Sequence, residues 1–283
     1  MEPYSYARNY EIAAKELYTK SLLYPELYSA KVPGPLPISS ATASLRDNYT
    51  ITPNNTGKFL LIIDVFSRYA KFYTANDLDG AGSGTVELKQ WDFNTNVIDQ
   101  YRLVSAGVIV RYYGNFNQMS GLFVSAVTSD PSNAVDFKNF QNIEDLTNKY
   151  ISKCVDGVKM IYTPMDNRAV EFRPASTWTN DDHPCKGQYL LVMYGDLFPN
   201  TNCIRIDYYR NYEFTTLPRY REYITQTKSL PCAFEIPMIE NQSSSAPSPT
   251  NSSNMLDNNI DYNLKIISTL NGKGINVNAK ALT

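Results

Sequence analysis

The sequence predicts an all-β protein: an eight-stranded antiparallel jelly-roll sandwich with an N-terminal helix and arm, one inserted helix and a C-terminal tail. Residues that favour strands are abundant, since 22 Tyr and 12 Phe stand beside frequent Thr, Val and Ile, and 16 Pro interrupt them. From residue 41 onward, short apolar segments alternate with turn residues, which is typical of an all-β domain. Eight such segments fit one double-sheet jelly roll, whose connections cross between the sheets through long loops.

The eight predicted strands are separated by segments rich in Gly, Pro, Asn and Ser. They are Ala43–Thr52, Phe59–Val65, Tyr101–Tyr113, Gly121–Val127, Gly157–Thr163, Ala169–Phe172, Gln188–Tyr194 and Asn202–Phe214. Phe59–Val65 is nearly continuous in apolar residues, as expected of a strand buried on both faces. The third and fourth strands are predicted to pair with each other through the turn at Gly114–Ser120. Helical spacing predicts the inserted helix over Asp136–Tyr150, and the glycines of Asp79–Gly84 predict a flexible loop.

The chain divides into three parts: residues 1–40 as helix and arm, 41–216 as the jelly-roll domain, and 217–283 as a C-terminal extension. The first part contains a predicted amphipathic helix over Tyr6–Leu23, which Pro25 ends, and an extended connector at Lys31–Pro37. Its expected apolar stripe consists of Ile12, Ala13, Ala14 and Leu17 with Leu22 or Leu23. Gln242–Asn254, rich in Ser, Pro and Asn, is predicted to be a linker within the extension.

Composition limits the compartment and the partners. The net charge is −2, so the chain as a whole carries no basic excess that would indicate nucleic acid. Charged residues make up only 19%, which favours a surface covered by neighbouring subunits, although the abundant Asn, Ser and Thr also solvate a surface. The four cysteines form no CxxC pair and Met1–Tyr10 does not resemble a secretory signal, so we expect reduced thiols rather than two disulfides. No apolar run approaches about 20 residues, so we expect no membrane partner.

The residues that carry chemistry predict no enzyme and no cofactor. The one histidine, His183, excludes a metal motif with two histidines, and its loop position predicts a solvated surface residue. No GxSxG, phosphate-loop or dinucleotide-binding motif occurs. Asp181 and Asp182 are candidates for a Ca²⁺ site between subunits, with an ordinary polar loop as the alternative.

Five segments, in the same order, resemble the capsid proteins of noda-like and tombus-like viruses and the related coats of single-stranded DNA viruses such as the bacilladnaviruses. They are Glu16–Leu36, with its "LL-P" step and Lys-Val-Pro connector; Leu45–Leu61; Ser105–Tyr113 (SAGVIVRYY), followed by Ser120–Ser125; Val155–Pro164, followed by Asp166 and Glu171-Phe172; and Ile204–Phe214 (IRIDYYRNYEF). Together they span residues 14–214, and the SAGVIVRYY strand is the most specific among them.

This resemblance implies a structural capsid subunit that self-assembles into an icosahedral shell of 60 copies or a multiple of 60. The shell would enclose a viral genome of RNA or single-stranded DNA, and the protein would be found in the virion after assembly in the host cytoplasm or nucleus. We expect the N-terminal segment on the interior side. The loops Ala75–Gly84, Thr128–Asn133 and Thr177–Gly187 are expected outside or at symmetry axes. The alternative is a non-viral, lectin-like jelly-roll binding module that uses its tyrosines as stacking platforms.

Two features depart from the pattern of that group. Its coats carry a basic N-terminal arm, but residues 1–33 hold Arg8, Lys15, Lys20 and Lys31 against four glutamates. Either the chain is a shortened form, or genome contacts come from scattered basic residues on the inner face. The second feature is the Asn-Ala bond that nodavirus-like coats cleave near the C-terminus. Asn278-Ala279 matches only this dipeptide, so we expect no cleavage there.

Overall fold

The computed structural model describes residues 3–34, 38–51, 57–73, 83–87, 95–115, 117, 119–128, 149–197, 204–228 and 243–244. By its internal contacts the chain divides into Met1–Ala246 and Pro247–Thr283, and every described residue belongs to the first unit. No helix among these residues is both long enough and apolar enough to span a membrane.

The described residues form two helices, α1 (Pro3–Leu23) and α2 (Ala175–Thr179), and a series of strands. The strands are β1 (Ser39–Ile51), β2 (Lys58–Asp64), β3 (Tyr69–Tyr73), β4 (Ser83–Glu87), β5 (Ile98–Tyr112), β6 (Gly121–Thr128), β7 (Lys149–Lys153), β8 (Val158–Ile161), β9 (Arg173–Pro174), β10 (Leu190–Leu197), β11 (Ile204–Thr216), β12 (Thr227–Lys228) and β13 (Ser243–Ser244). Single turns of 3₁₀ helix occupy Cys154–Asp156, Asn167–Val170 and Pro218–Tyr220.

The strands form two antiparallel sheets. The first sheet has the order β12-β1-β11-β5-β8-β13, with β9 added beside β5, and the second has the order β4-β3-β2-β10-β6-β7. Four antiparallel pairs build the sandwich: β1 with β11, β2 with β10, β5 with β8, and β6 with β7. Successive pairs alternate between the sheets, which is the jelly-roll topology. The predicted fold class is therefore confirmed.

The main core lies between the sheets, because alternate residues of each strand point inward. Phe59 and Ile63 of β2, Val108 of β5 and Tyr208 of β11 belong to this core. The central strands are also covered on their other faces. Leu60 and its neighbours form a second apolar cluster on the outer face of the second sheet. The prediction that β2 is buried on both faces is confirmed.

The strand predictions differ from the structure in three places. Tyr101–Tyr113 and Gly121–Val127 were predicted to pair, but β5 pairs with β11 and β8, whereas β6 pairs with β10 and β7 in the opposite sheet. The turn residues between the two segments favoured a hairpin. The strands instead pair with distant segments, because each buries more apolar surface at the centre of a separate sheet. The predicted strand Ala169–Phe172 is not a strand. Its first two residues end a 3₁₀ turn, in which the Asp166 carboxylate accepts a hydrogen bond from the backbone N–H of Ala169 at 3.1 Å. The strands β3, β4 and β7 and the two-residue strands β9, β12 and β13 were not predicted.

The helix and loop predictions are confirmed in part. The first helix forms as expected, but Ile12 and Leu17 of its predicted apolar stripe are 55% and 42% exposed, while Tyr18 and Leu22 are buried. The stripe was misplaced because the packed face also includes the polar Ser21, which bonds to the sheet. Of the predicted helix Asp136–Tyr150, Lys149 and Tyr150 open β7, and the remainder lies outside the described residues. Of the predicted loop Asp79–Gly84, Ser83 and Gly84 belong to β4, and the rest is likewise outside them.

Candidate functional site: the outer face of the first sheet

The segment that follows α1 lies on the outer face of the first sheet. Tyr18 and Leu22 of α1 pack with Val104 of β5 in a small apolar cluster. Further along, the ring of Pro25 lies directly over Gly107 of β5. A Cβ atom on Gly107 would come 2.6 Å from Cγ of Pro25, so only glycine permits this close approach. The apolar contacts place the segment, and polar side chains of the sheet then hold it.

Asn211 of β11 holds the turn after α1. Its Nδ2 lies 2.9 Å from the carbonyl oxygen of Pro25, 3.0 Å from that of Tyr28 and 2.8 Å from Oγ of Ser105. The Ser105 hydroxyl also bonds to the hydroxyl of Ser21 on α1, at 2.8 Å. All these groups are buried or nearly so, and the carbonyls of the turn after α1 gain partners that water would otherwise supply.

Glu213 and Arg102 hold the connector that follows. One carboxylate oxygen of Glu213 accepts hydrogen bonds from the backbone N–H of Val32 at 3.0 Å and from Nε of Arg102 at 2.9 Å, and the other accepts from the hydroxyl of Ser40. Nη2 of Arg102 donates to the carbonyl oxygen of Val32 at 2.9 Å. Val32 is therefore bound through both of its backbone polar groups. We call Arg102, Ser105, Asn211 and Glu213 the N-terminal clamp.

Two lysines extend the clamp at its edges. Nζ of Lys31 donates to the carbonyl oxygen of Ser40 at 2.6 Å and to Oγ1 of Thr227 at 2.8 Å, which ties the connector to β1 and β12. Nζ of Lys159 on β8 lies 2.6 Å from the carboxylate of Glu26. Burial lowers the pKa of Lys159, and the negative charge of Glu26 opposes that change.

Another part of the same face carries an arginine cluster. Asp207 of β11 is the shared partner of Arg46 on β1, Arg111 on β5 and Arg205 on β11, with N–O distances of 3.0, 3.7 and 3.2 Å. The Asp207 side chain is only 2% exposed, whereas those of Arg46, Arg111 and Arg205 are 50%, 30% and 40% exposed. The carboxylate therefore lies beneath a layer of guanidinium groups.

Arg46 is the most exposed member of the cluster. Its guanidinium lies 5.3 Å from the ring centre of Tyr209, in the geometry of a cation–π contact. Its hydrogen bond to Asp207 raises the pKa of Arg46 from the ordinary arginine value. This side chain is thus held in place while one side of it faces solvent.

The two aspartates proposed from the sequence lie in the turn after α2. Asp181 has a positive φ of 54°; its Oδ1 accepts from the backbone N–H of Arg68 at 2.8 Å, and its Oδ2 pairs with Lys186. Asp182 is exposed, and its backbone N–H donates to the carbonyl oxygen of Thr177. Among the described residues, no group of three or more His, Cys, Asp and Glu side chains is placed to hold a metal ion. A calcium site between subunits stays a prediction, and Asn278-Ala279 lies outside the described residues.

His183 is not the solvated surface residue that its loop position predicted. It is buried and stacks on Phe66, with 4.2 Å between ring centres and 11° between ring planes. Its Nδ1 accepts a hydrogen bond from the backbone N–H of Cys185 at 3.1 Å. Burial, aided by the positive charge of Arg173, lowers the pKa of His183 to about 4. The tight turns of residues 180–188 fold back over the core. The polar sequence around His183 did not indicate that its side chain would be buried.

Cys154 and Cys185 are both buried and form no disulfide in the described part of the chain, while Cys203 and Cys232 lie outside it, so the reduced state of the thiols stays a prediction. The residues that form the clamp and the arginine cluster were not singled out from the sequence, although most of them stand in the segments that resemble capsid proteins. The sequence feature that could have identified these residues is charge at alternate positions of otherwise apolar strands, as at Arg205, Asp207 and Glu213.

No family model matches this sequence, and no curated protein matches it. The fold, in contrast, has counterparts among solved structures. The T=1 particles derived from infectious bursal disease virus are built of a chain that aligns with a TM-score of 0.58 and 11% identity, over 91% of this chain and 92% of that one.

Two further structures from the same virus show the same similarity in fold to this chain. The protein of the T13 particle aligns with a TM-score of 0.57 and 10% identity, over 78% of this chain and 89% of that one. The VP2 protein of the subviral particle aligns with a TM-score of 0.56 and 11% identity, over 76% and 90%. At these identities the likeness establishes the fold: this chain shares the jelly-roll architecture of proteins that build viral particles.

Proposed function

We propose that this chain is a structural capsid subunit that self-assembles into an icosahedral viral shell. The observation that carries the proposal is the alignment of a jelly roll across about nine tenths of a chain that forms T=1 viral particles. The resemblance of five ordered segments to noda-like and tombus-like coats supports the same function, and membership of that group is part of the proposal. The low share of charged residues fits a surface covered by other subunits.

The edge of the second sheet offers a surface for such contacts. Leu122 of β6 and Ile151 of β7 are about half exposed, and the pairing of Val124 with Ile151 places both on the outer face. Val155, in the turn that follows β7, is also exposed. We infer that these apolar side chains contact a neighbouring subunit, because assembly buries apolar surface that a free subunit leaves in water.

The expected interior position of the N-terminal segment implies an orientation of the subunit in the shell. We propose that the outer face of the first sheet, with the clamp and the arginine cluster, faces the interior, and that the loop 177–187 lies outside or at a symmetry axis. The interior would hold an RNA or single-stranded DNA genome, and assembly would occur in the host cytoplasm or nucleus with 60 copies or a multiple of 60. A subunit whose N-terminal segment is held beneath the shell leaves its opposite loops available for contacts outside.

The test is to express the full chain and examine it by negative-stain electron microscopy and analytical ultracentrifugation. We expect spherical particles of uniform diameter, and the diameter limits the number of subunits. Leu122→Asp with Ile151→Asp should prevent assembly while leaving a folded subunit, whereas Tyr223→Asp, another exposed apolar position, should not.

A stable monomer in the wild type, at every salt concentration and pH tested, would overturn the proposal. Binding to a glycan array without particle formation would favour the lectin-like alternative instead.

A further inference from the structure

The solvent side of α1 carries large apolar side chains. Ile12 and Leu17 of the helix are exposed, and so is Tyr24 in the turn directly after it. Successive residues of an α-helix turn by about 100°, so these three side chains lie on one side of α1. The buried Tyr18 and Leu22 lie on the other side, against the sheet. The helix therefore has a second apolar row that its contacts with the sheet do not use.

This row has the spacing of a seam between two helices. Ala13, Leu17, Lys20 and Tyr24 follow one another at intervals of four, three and four residues, as do the positions that meet in a coiled coil. Ala13 is exposed like Leu17 and Tyr24, and the Lys20 side chain is 30% exposed. Glu16, with a side chain that is 55% exposed, borders the row. We call Ala13, Leu17, Lys20 and Tyr24 the α1 seam, and its spacing favours another helix as the partner.

The α1 seam is complementary to itself when two copies run antiparallel. If Leu17 packs on the partner's Lys20, then Ala13 lies opposite the partner's Tyr24, so that a small residue meets a large one. The aliphatic stem of Lys20 covers Leu17, and its ammonium group then lies near the partner's Glu16. A parallel pair would instead bring Lys20 against Lys20 and Tyr24 against Tyr24. The antiparallel arrangement repeats every contact twice, as a two-fold axis requires.

We propose that the α1 seam packs antiparallel on the α1 seam of a second copy of this chain, across a two-fold axis of the assembly. The inference rests on the proposed function, because an icosahedral shell supplies such axes. Four side chains per copy fall short of the roughly 1,200 Å² that a stable dimer buries. The seam therefore closes where other contacts already hold two copies together, and it fixes how these copies are oriented.

The first measurement is cross-linking of assembled full-length protein through an introduced thiol. Leu17→Cys places the thiol in the seam, and Lys15→Cys places it on the same helix, also partly exposed but away from the seam. The four native cysteines are present in both variants. A thiol cross-linker with an arm of about 8–10 Å matches the distance between packed helices. We expect covalent dimers to form at least about tenfold faster in Leu17→Cys, because the seam raises the local concentration of the second thiol.

The second measurement reverses charges in the Leu17→Cys background. Glu16→Lys places a positive charge near the partner's Lys20 twice per dimer and should slow dimer formation about two- to fivefold. Glu16→Lys/Lys20→Glu restores opposite charges and should restore the rate. Glu11→Lys is the control, because Glu11 pairs with Lys15 in the same helix and lies off the seam. It also breaks an ion pair within α1, so an effect of helix stability alone would appear in the control as well.

Equal rates for the two thiols in particles of normal diameter would overturn the inference and leave the capsid function standing. A rate that Glu16→Lys does not slow would also overturn it, because the second copy would not lie in this register. A thiol at residue 17 that is protected from modification without forming dimers would show that something else covers the seam, with the same consequence. If the wild type forms no particles, the capsid proposal fails, and the same comparison in concentrated solution decides the seam. Dimers specific to Leu17→Cys would then support it, and equal rates would overturn it.

Discussion

Arg210 of β11 and Asp47 of β1 form an ion pair inside the sandwich, with 2.7 Å between Nη2 and Oδ2 and side chains that are 0% and 1% exposed. Arg210 points inward because it shares a strand face with Tyr208 and Tyr212 of the main core. Its guanidinium lies 5.3 Å from the ring of Trp178 and 5.0 Å from that of Tyr208. Aromatic faces and one carboxylate together replace the water that a charge loses on burial.

We expect Asp47→Ala to lower the free energy of unfolding by about 3–5 kcal/mol, because it leaves the charge of Arg210 buried without its carboxylate. Asp47→Leu combined with Arg210→Met removes both charges and should cost much less than the single change. Urea unfolding followed by tryptophan fluorescence measures both. A loss below about 1 kcal/mol for Asp47→Ala would show that the pair contributes little.

The N-terminal clamp makes a separate prediction for Glu213→Gln. The neutral amide cannot accept from Val32, Ser40 and Arg102 in the same way, and a hydrogen bond to a charged group is worth about 1.5–3 kcal/mol. We expect faster amide hydrogen exchange in peptides that cover residues 24–34, with unchanged exchange in β2 and β10. Glu171→Gln is the control, because that carboxylate pairs with Arg173 while largely exposed. Equal protection of residues 24–34 in both variants would contradict the role of the clamp.

The sequence predicted the sandwich because its central strands are unambiguous. The apolar runs of β2, β5 and β10 and the alternating apolar residues of β11 each give a local signal, and turn residues separate these strands. β7 gives no such signal, since its five residues begin and end with lysine and it lies at the edge of its sheet. Which strands pair was also not predictable, because pairing in a jelly roll joins segments far apart in the chain.

The clamp and the arginine cluster could not be predicted for the same reason, because the residues that form them are far apart in the chain. Glu213 stands 181 positions after Val32, whose backbone it binds, and Asp207 stands 161 positions after Arg46. The resemblance to capsid proteins did single out the strand that contains Asn211 and Glu213, but it could not say what those side chains contact. Their partners are backbone groups, which any sequence offers and which only the fold brings close.

His183 predicts how stability responds to acid. Its pKa is about 4 in the folded protein against about 6.5 in an unfolded chain, so between these values the unfolded state binds the proton first. The contribution of His183 to the free energy of unfolding is fully present above about pH 6.5. About 3 kcal/mol of it is lost as the pH falls towards 4. Asp64, whose pKa burial raises to about 6, acts in the opposite direction, since its folded form binds a proton first.

The variant His183→Asn isolates the contribution of the histidine, because Asp64 is present in both proteins. Asparagine does not titrate and can still accept from the backbone N–H of Cys185. Urea unfolding at pH 7.5 and pH 4.5 should therefore show a larger loss of stability in the wild type than in the variant. If both proteins lost the same free energy between these pH values, the buried neutral histidine would not be the cause.

Gly107 makes the last prediction, because the contact of β5 with Pro25 depends on the absence of a side chain. A Cβ atom at residue 107 would lie 2.6 Å from Cγ of Pro25 and 3.2 Å from the carbonyl oxygen of Met160. We expect Gly107→Ala to push the turn after α1 off the sheet and to cost about 1–3 kcal/mol, the usual range for overpacking. Gly34→Ala is the matched control, since a Cβ there meets no atom within 4 Å. Hydrogen exchange should speed up over residues 18–34 in the first variant alone. If only global stability fell, with residues 18–34 still protected as in the wild type, Pro25 would have moved together with β5, and the N-terminal segment would be a fixed part of the fold.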